Sequence, residues 1–423
     1  MRTPLSRRTF LVSTTAAATG ALAAGAPRPL RAQPRTVKIG AVHPVTGALA
    51  EIGQACRLGA QMAVDAVNAA GGIKSLGGAR LELILGDTEN KPDVARAEAE
   101  RVIAAGAQIL TGAFHSGQTA AMVPVAQQKR VPFLIDISAA DPLTANVAES
   151  VRKGEQKVQY VYRNFPTTRM FGQRAVQYMT ELFKDAGVAA RRVVLIYTND
   201  LFGQTQARQF QAAVKEKNPG FEIVEAIPFP ENATDLSTEV SRLKALRPDI
   251  VAPVTRATTA ILLLQELHKQ RVEYLGIISP GTPGLYEAGQ IAQLKELIEY
   301  VMDCVPWPNF RNPRTRQVAE EYARRSGGKT FDTNSGYSYE AILIIADVLE
   351  RARSTDPEAI VEAIRKTNIK DPLMVAAGPI VFNEVGDNPN ASTAMIQILG
   401  QKPVVVWPRE AAEQKYVFPR PRR

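Results

Sequence analysis

The chain has 423 residues, 45% of them hydrophobic and 22% charged, with two cysteines, three histidines and a formal charge of +9. These proportions describe a globular protein with room for two domains of ordinary size. Five arginines in residues 1–32 and three more at Arg420, Arg422 and Arg423 hold most of the positive excess. The excess lies at the ends and not as a clustered patch within a fold, so no nucleic-acid partner is implied.

Residues 1–32 read as an export signal. Arg7-Arg8 and Phe10-Leu11 precede an apolar run over 11–26, and Leu30-Arg31-Ala32 offers a small residue for cleavage. This is the layout of a twin-arginine signal. The run is rich in Ala, Thr and Gly and falls short of the roughly 20 strongly apolar residues of a spanning helix. Cleavage is expected after Ala32, with Ala26 as the competing position. The mature chain would be periplasmic, away from ATP and nicotinamide cofactors, which excludes most intracellular enzyme chemistry. No later window approaches 18 apolar residues, so no transmembrane span is expected.

From residue 37 onward, short β-branched runs alternate with helical patterns. Strands are expected at 37–42, 81–85, 109–112 and 131–135. Helices are expected around 58–67, where Leu58, Met62 and Ala66 share a face, and at 93–105 and 117–129. The rhythm restarts with strands at 192–198, 221–227, 249–254 and 275–279, separated by helices at 203–217, 237–246 and 258–269. A third block adds helices at 313–325, 337–352 and 356–367 and late strands at 380–382, 394–399 and 404–407. Residues 408–423 read as an irregular tail. Strands alternating with helices of this length imply parallel sheets covered on both faces. The fold class is α/β, with two doubly wound lobes. In such sheets ligands bind beyond the carboxyl ends of the strands, here the loops 44–53, 114–119, 138–144, 199–203, 256–259 and 280–286.

The order of several short segments then points to a family. Val37-Lys38-Ile39-Gly40 with Thr46-Gly47, Gly71-Gly72-Ile73, Asp200-Leu201-Phe202-Gly203, Asp235-Leu236-Ser237, Pro248-Asp249, Ser338-Tyr339-Glu340-Ala341 and Gly378-Pro379-Ile380 follow one another over nearly 390 residues. In this the chain resembles the solute-binding proteins of branched-chain amino-acid-type ABC transporters. The resemblance implies a three-crossover hinge near 162–165, 304–308 and 391–393. Lobe one would be 36–161 with 306–391, lobe two 162–305 with 392–410, and the C-terminal tail 411–423. It also implies a small organic solute as ligand, an ABC permease and its ATPase as partners, no cofactor and no enzymatic step. The alternative is a sensor module reporting the solute to a signalling protein.

Site residues follow from the loops and the resemblance together. Ser116 and His115 sit where a strand hands over to a helix; Ser116 either contacts solute or caps the helix. Ser138, Ala139 and Ala140 match the second binding loop, and Ala140 stands where amino-acid binders carry threonine. Phe202 would close over the solute, unless it is a core residue. Gly281 and Thr282 replace the acidic residue that pairs an amino acid's ammonium; the nearest acid is Glu287. An ammonium without a counter-charge is disfavoured, and Arg256 or Arg169 would pair a carboxylate unless solvated. The expected solute is thus an organic acid, branched or aromatic.

Other motifs fail. Gly327-Gly328-Lys329-Thr330 matches the end of a phosphate loop, but Ala323 occupies the first glycine. The chain has no dinucleotide fingerprint, no Gly-x-Ser-x-Gly and no His-Glu-x-x-His. His43, His115 and His268 are too scattered for a metal cluster. Cys56 and Cys304 leave disulfide pairing open.

Overall fold

A computed structural model describes residues 36–421; the expected export signal lies outside them. Two sheets organise the fold. The first takes β1 (Thr36–His43), β2 (Arg80–Asp87), β3 (Ile109–Gly112), β4 (Phe133–Ile135) and β5 (Val161–Arg163), in the order β2-β1-β3-β4-β5, all parallel. The second takes β6 (Arg192–Thr198), β7 (Glu222–Phe229), β8 (Ile250–Val254), β9 (Gly276–Ser279), β10 (Met302–Val305), β11 (Ala394–Leu399) and β12 (Lys402–Trp407), in the order β12-β11-β10-β9-β8-β6-β7. Strands β6 to β10 are parallel, whereas β11 pairs antiparallel with both β10 and β12. The last hairpin thus extends a parallel sheet with an antiparallel edge, a common arrangement.

Helices cover the faces. On the first sheet, α1 (Ala50–Ala69) packs along α11 (Thr333–Ala352), while α2 (Pro92–Ala104) packs on α3 (Ser116–Lys129). On the second, α5 (Thr168–Ala186) packs on α6 (Leu201–Lys217), and α7 (Ser237–Ala245) on α8 (Ala257–Lys269). Between these lie α4 (Pro142–Arg152), α9 (Ala288–Leu294), α10 (Pro313–Ser326) and α12 (Pro357–Arg365). Among the described residues no helix is long and apolar enough to cross a membrane.

Several elements depart from the sequence pattern. The strands β5 and β10 are too short to show a period, and α5 falls where no element is expected, although Phe171, Ala175, Met179 and Leu182 are buried at helical spacing. Thr167 caps α5 by accepting the Met170 N–H at 3.3 Å, and Gly187, in the left-handed region, ends it. The loop expected at 138–144 gives way to α4 at Pro142, a residue well suited to a first turn. The strand expected at 380–382 is a single bridge between Ile369 and Ile380. The tail has no regular structure but is packed on the second sheet: Phe418 stacks on Phe183 at 5.4 Å, and the Arg420 guanidinium lies 3.9 Å from the Tyr274 ring centre. Cys56 and Cys304 are free, buried thiols.

The chain passes between the sheets after β5, after β10 and before β11. Two buried polar residues fasten the first passage. Arg163 donates from Nε to Asp387 (2.9 Å), from Nη1 to the carbonyls of Ser138 (3.2 Å) and Ala140 (2.8 Å), and from Nη2 to Thr144 (2.9 Å). Asn164 donates to Glu340 (2.7 Å) and accepts from Asn388 (2.9 Å). A fully buried guanidinium is tolerated only when paired and bonded in this way.

Candidate functional site

The loops that leave the strand ends of both sheets meet at a small apolar chamber. Phe114, Ile137, Ser138, Ala139 and Phe165 line it from the first sheet, and Phe171, Phe202, Arg256, Thr282, Pro283 and Tyr286 from the second. Its free volume is about 40 Å³, far below the roughly 300 Å³ at which ligand pockets of ordinary size begin. Solute entry therefore requires the two walls to part. Phe114 turns its ring inward from a left-handed backbone (φ 78°), a conformation uncommon for a bulky residue and concentrated at functional sites. Phe165 packs against Phe171 at 5.9 Å and edge-on to Tyr337 at 4.8 Å.

Five of the ten expected residues line this chamber: Ser138, Ala139, Phe202, Arg256 and Thr282. Most of their polar atoms are engaged. The Ser138 hydroxyl donates to the Phe114 carbonyl (2.9 Å) and meets Thr119 Oγ1 at 2.5 Å. Thr282 Oγ1 donates to the Thr255 carbonyl (2.8 Å) and accepts its N–H (2.6 Å).

Arg256 differs most from expectation. Its Nε and Nη2 donate to one oxygen of Asp200 at 2.9 and 2.6 Å, and its guanidinium lies 5.0 Å from the centre of the Phe202 ring. The carboxylate expected from the solute is supplied by the protein, from the N-cap of α6, where Asp200 also accepts the Gly203 N–H at 2.7 Å. In the sequence Asp200 stands only as part of a family segment, with no local sign that its charge faces the neighbouring loop. Burial pushes the Asp200 carboxyl up, but Arg256, His115 and the Gly203 N–H outweigh it and hold the group well below the usual range.

The other expected residues lie around the chamber. His115, not Ser116, caps α3: its Nδ1 accepts the Gly117 N–H at 3.1 Å. The proton therefore sits on Nε2, which donates to Glu231 at 2.9 Å and stands 3.6 Å from Asp200. Ser116 Oγ accepts the Ala140 N–H at 3.4 Å, tying the two loops of the first sheet together. Ala140 is fully buried in the core of the first sheet and does not line the chamber. Gly281, at φ 118°, is pressed so tightly that a Cβ would stand 2.2 Å from Phe171 Cδ1. Arg169 is exposed on the first turn of α5, the solvated outcome.

His115, Asp200 and Glu231 place three donor atoms within 4.8 Å of one another. The Arg256 guanidinium pairs with Asp200, and the Nε2–H of His115 points at Glu231, so that nitrogen offers no free lone pair to the cluster. Its bond to His115 holds Glu231 below the usual range against the opposing effect of burial. A different buried set, His43, Asp136 and Ser338, joins at 2.7 and 2.6 Å but is sealed in the core. It has the residue types of a catalytic relay without a surface for substrate.

A second, larger chamber opens beside the first and shares Tyr286 and Asn334 with it. It holds about 430 Å³ between α1, α9 and the start of α11. Glu287 lines it, 4% exposed, with burial pushing its carboxyl up to about 8.

Two α/β sheets with strand-end loops converging on an inter-sheet cavity define a two-lobed binding fold. The chain belongs to the periplasmic binding protein family, whose model matches residues 36–402. Over 392 residues it is 26% identical to Leu/Ile/Val-binding protein homolog 8 of Brucella abortus (strain 2308), covering 90% of this chain and 93% of that protein. The leucine-binding protein LivK of Thermotoga maritima MSB8 superposes with a TM-score of 0.74 at 22% identity, covering 88% of this chain and 97% of LivK. An ABC-transporter solute-binding protein from R. palustris, in complex with benzoate, superposes at 0.73 and 18% identity, covering 90% and 99%. These relatives are substrate-binding receptors and not enzymes.

Proposed function

We propose that this protein is an exported receptor, carried out by its twin-arginine signal, that takes a small organic solute between its lobes and delivers it to an ABC permease. The partner ATPase would supply the energy. The observation that carries this reading is the convergence of loops from both sheets on one aromatic-walled chamber. A solute touching both walls stabilises the closed form, and a permease that docks only closed receptors reads occupancy as shape. The leucine-binding relative and the benzoate complex support a solute with a branched or aromatic body, which suits walls made of Phe114, Phe165, Phe171 and Phe202.

The test is calorimetric titration of the purified protein with branched and aromatic solutes, followed by small-angle scattering. A binding solute should raise Tm and contract the particle. A panel of leucine, benzoate, amines and amides that leaves both Tm and scattering unchanged overturns the receptor reading.

A further inference from the structure

The polar atoms facing the apolar chamber are largely consumed by the protein itself: Ser138 bonds Phe114 and Thr119, Thr282 bonds Thr255, and Arg256 bonds Asp200. The adjoining chamber is different. Oε1 of Glu287 and Oδ1 of Asn334 are both buried and both lack a hydrogen-bond partner. Their orientation is set by their other atoms. Glu287 uses Oε2 to accept the Gly284 N–H at 2.8 Å, and the Asn334 amide turns its Nδ2 toward Asp332 at 3.4 Å. Asn334 is left with an acceptor oxygen, and Glu287 with a free Oε1 that keeps the carboxyl proton near neutrality, to pass to an amine or to offer to an amide carbonyl; a buried polar atom without a partner is costly to keep. Asp332 and Glu51 line the same space; of its two cations, Lys329 pairs with Glu51 at 3.4 Å and Lys402 is an exposed side chain. The chamber selects a donor.

Because Tyr286 and Asn334 belong to both walls, the two chambers adjoin. We propose that the solute spans them, with its apolar body among the phenylalanine rings and a hydrogen-bond-donating head, an amine or a primary amide, on Oε1 of Glu287 and Oδ1 of Asn334. This assignment rests on the receptor reading and replaces the simple organic acid expected from sequence. A carboxylate would take the one proton on Glu287 but would face the Asn334 oxygen and the Asp332 and Glu51 acids.

Three compounds on one skeleton test it: phenethylamine, phenylacetamide and phenylacetate, titrated into the purified protein. The amine or the amide should bind at least tenfold more tightly than phenylacetate. Glu287→Gln should weaken the amine tenfold or more and the amide less, and Asn334→Leu should weaken both. Circular dichroism melts check that each variant is folded, and the wild-type series stands even if one is not. Phenylacetate binding as tightly as the amide overturns the assignment, as does donor affinity unchanged in both folded variants. Leucine and benzoate are titrated in parallel. If either binds while the donor series fails, the head-group assignment falls and the receptor reading survives; if all five fail, both fall.

Discussion

Nε2 of His115 and a carboxylate oxygen of Glu231 meet at 2.9 Å although they hang from different sheets, His115 from the loop after β3 and Glu231 from the loop after β7. The contact is a latch between loops of the two sheets, beside the Asp200–Arg256 pair whose guanidinium reaches the apolar chamber. With Glu231 more than one-third exposed, it belongs with pairs that contribute about 1 kcal/mol or less. Closing without solute is thereby favoured, but only slightly, which suits a receptor that must open readily.

Glu231→Gln is expected to shift the closed-to-open ratio toward open by up to about fivefold. The measurement is small-angle scattering without solute at low and high salt. The variant should have the larger radius of gyration at both, because the bond that Glu231 accepts from Nε2–H is a short charge–dipole contact that salt screens little. A wild-type radius already equal to the variant's at low salt would show that the latch holds nothing.

Arg256 and Asp200 form the second electrostatic feature of the site, and here burial raises the stakes. Arg256→Ala leaves Asp200 buried and unpaired, which should cost about 3–5 kcal/mol of stability. The loss should show in thermal melts without solute, and combining Arg256→Met with Asp200→Asn should recover a large part of it. If Arg256→Ala melts like wild type and only solute affinity falls, the guanidinium serves the solute and not the fold.

This pair also shows what was legible in the sequence. The parallel sheets, the restart at Arg192 and the strand-end loops followed from hydrophobic period and turn residues, because those signals are local. Strand 192–198 and strand 394–399 match their expected bounds. Charge pairing between loops is not local: Asp200 and Arg256 are 56 residues apart and meet only because β6 and β8 are neighbours in the sheet. The same reason hid the meeting of Glu287, noted in the sequence only as the nearest acid, with Asn334 in the lining of one chamber. Ser116 was visible as a helix-start residue, but a histidine one position earlier took the cap.

Arg163 was hidden for a related reason, since nothing in Val161-Tyr162-Arg163 announces a buried guanidinium. Its bonds to the Ser138 and Ala140 carbonyls position the 138–140 loop, and its pair with Asp387 secures the passage between lobes. Arg163→Met should cost about 3 kcal/mol or more, because Asp387 loses its counter-charge and two carbonyls lose a donor. Arg163→Lys should recover only part of this, since one ammonium cannot reproduce the guanidinium fork. Urea unfolding followed by tryptophan fluorescence reads both values, and equal midpoints for the Arg163→Lys variant and wild type would show that charge alone suffices.

Glu287 makes stability depend on pH in a direction opposite to that of most carboxylates. Burial, reinforced by Asp332, raises its carboxyl to about 8, so in the folded protein it keeps its proton where the unfolded chain has lost it. Between the ordinary glutamate value near 4.5 and about 8 the native state binds more protons. Stability therefore falls across that window, by at most about 1.4 kcal/mol per pH unit for one group. Below it the contribution is fully present; above it the loss is complete. Asp200 and Glu231, whose carboxyls are depressed, act in the other window, stabilising above the ordinary carboxylate range and failing as acid protonates them. Comparing wild type with Glu287→Gln isolates the first effect, because Asp303 and Asp332 are present in both. The variant should gain on wild type steadily from pH 5 to 8 in chemical-denaturation midpoints. A constant difference across that range would mean that Glu287 is ionised throughout, with a counter-charge reaching its free oxygen even without solute.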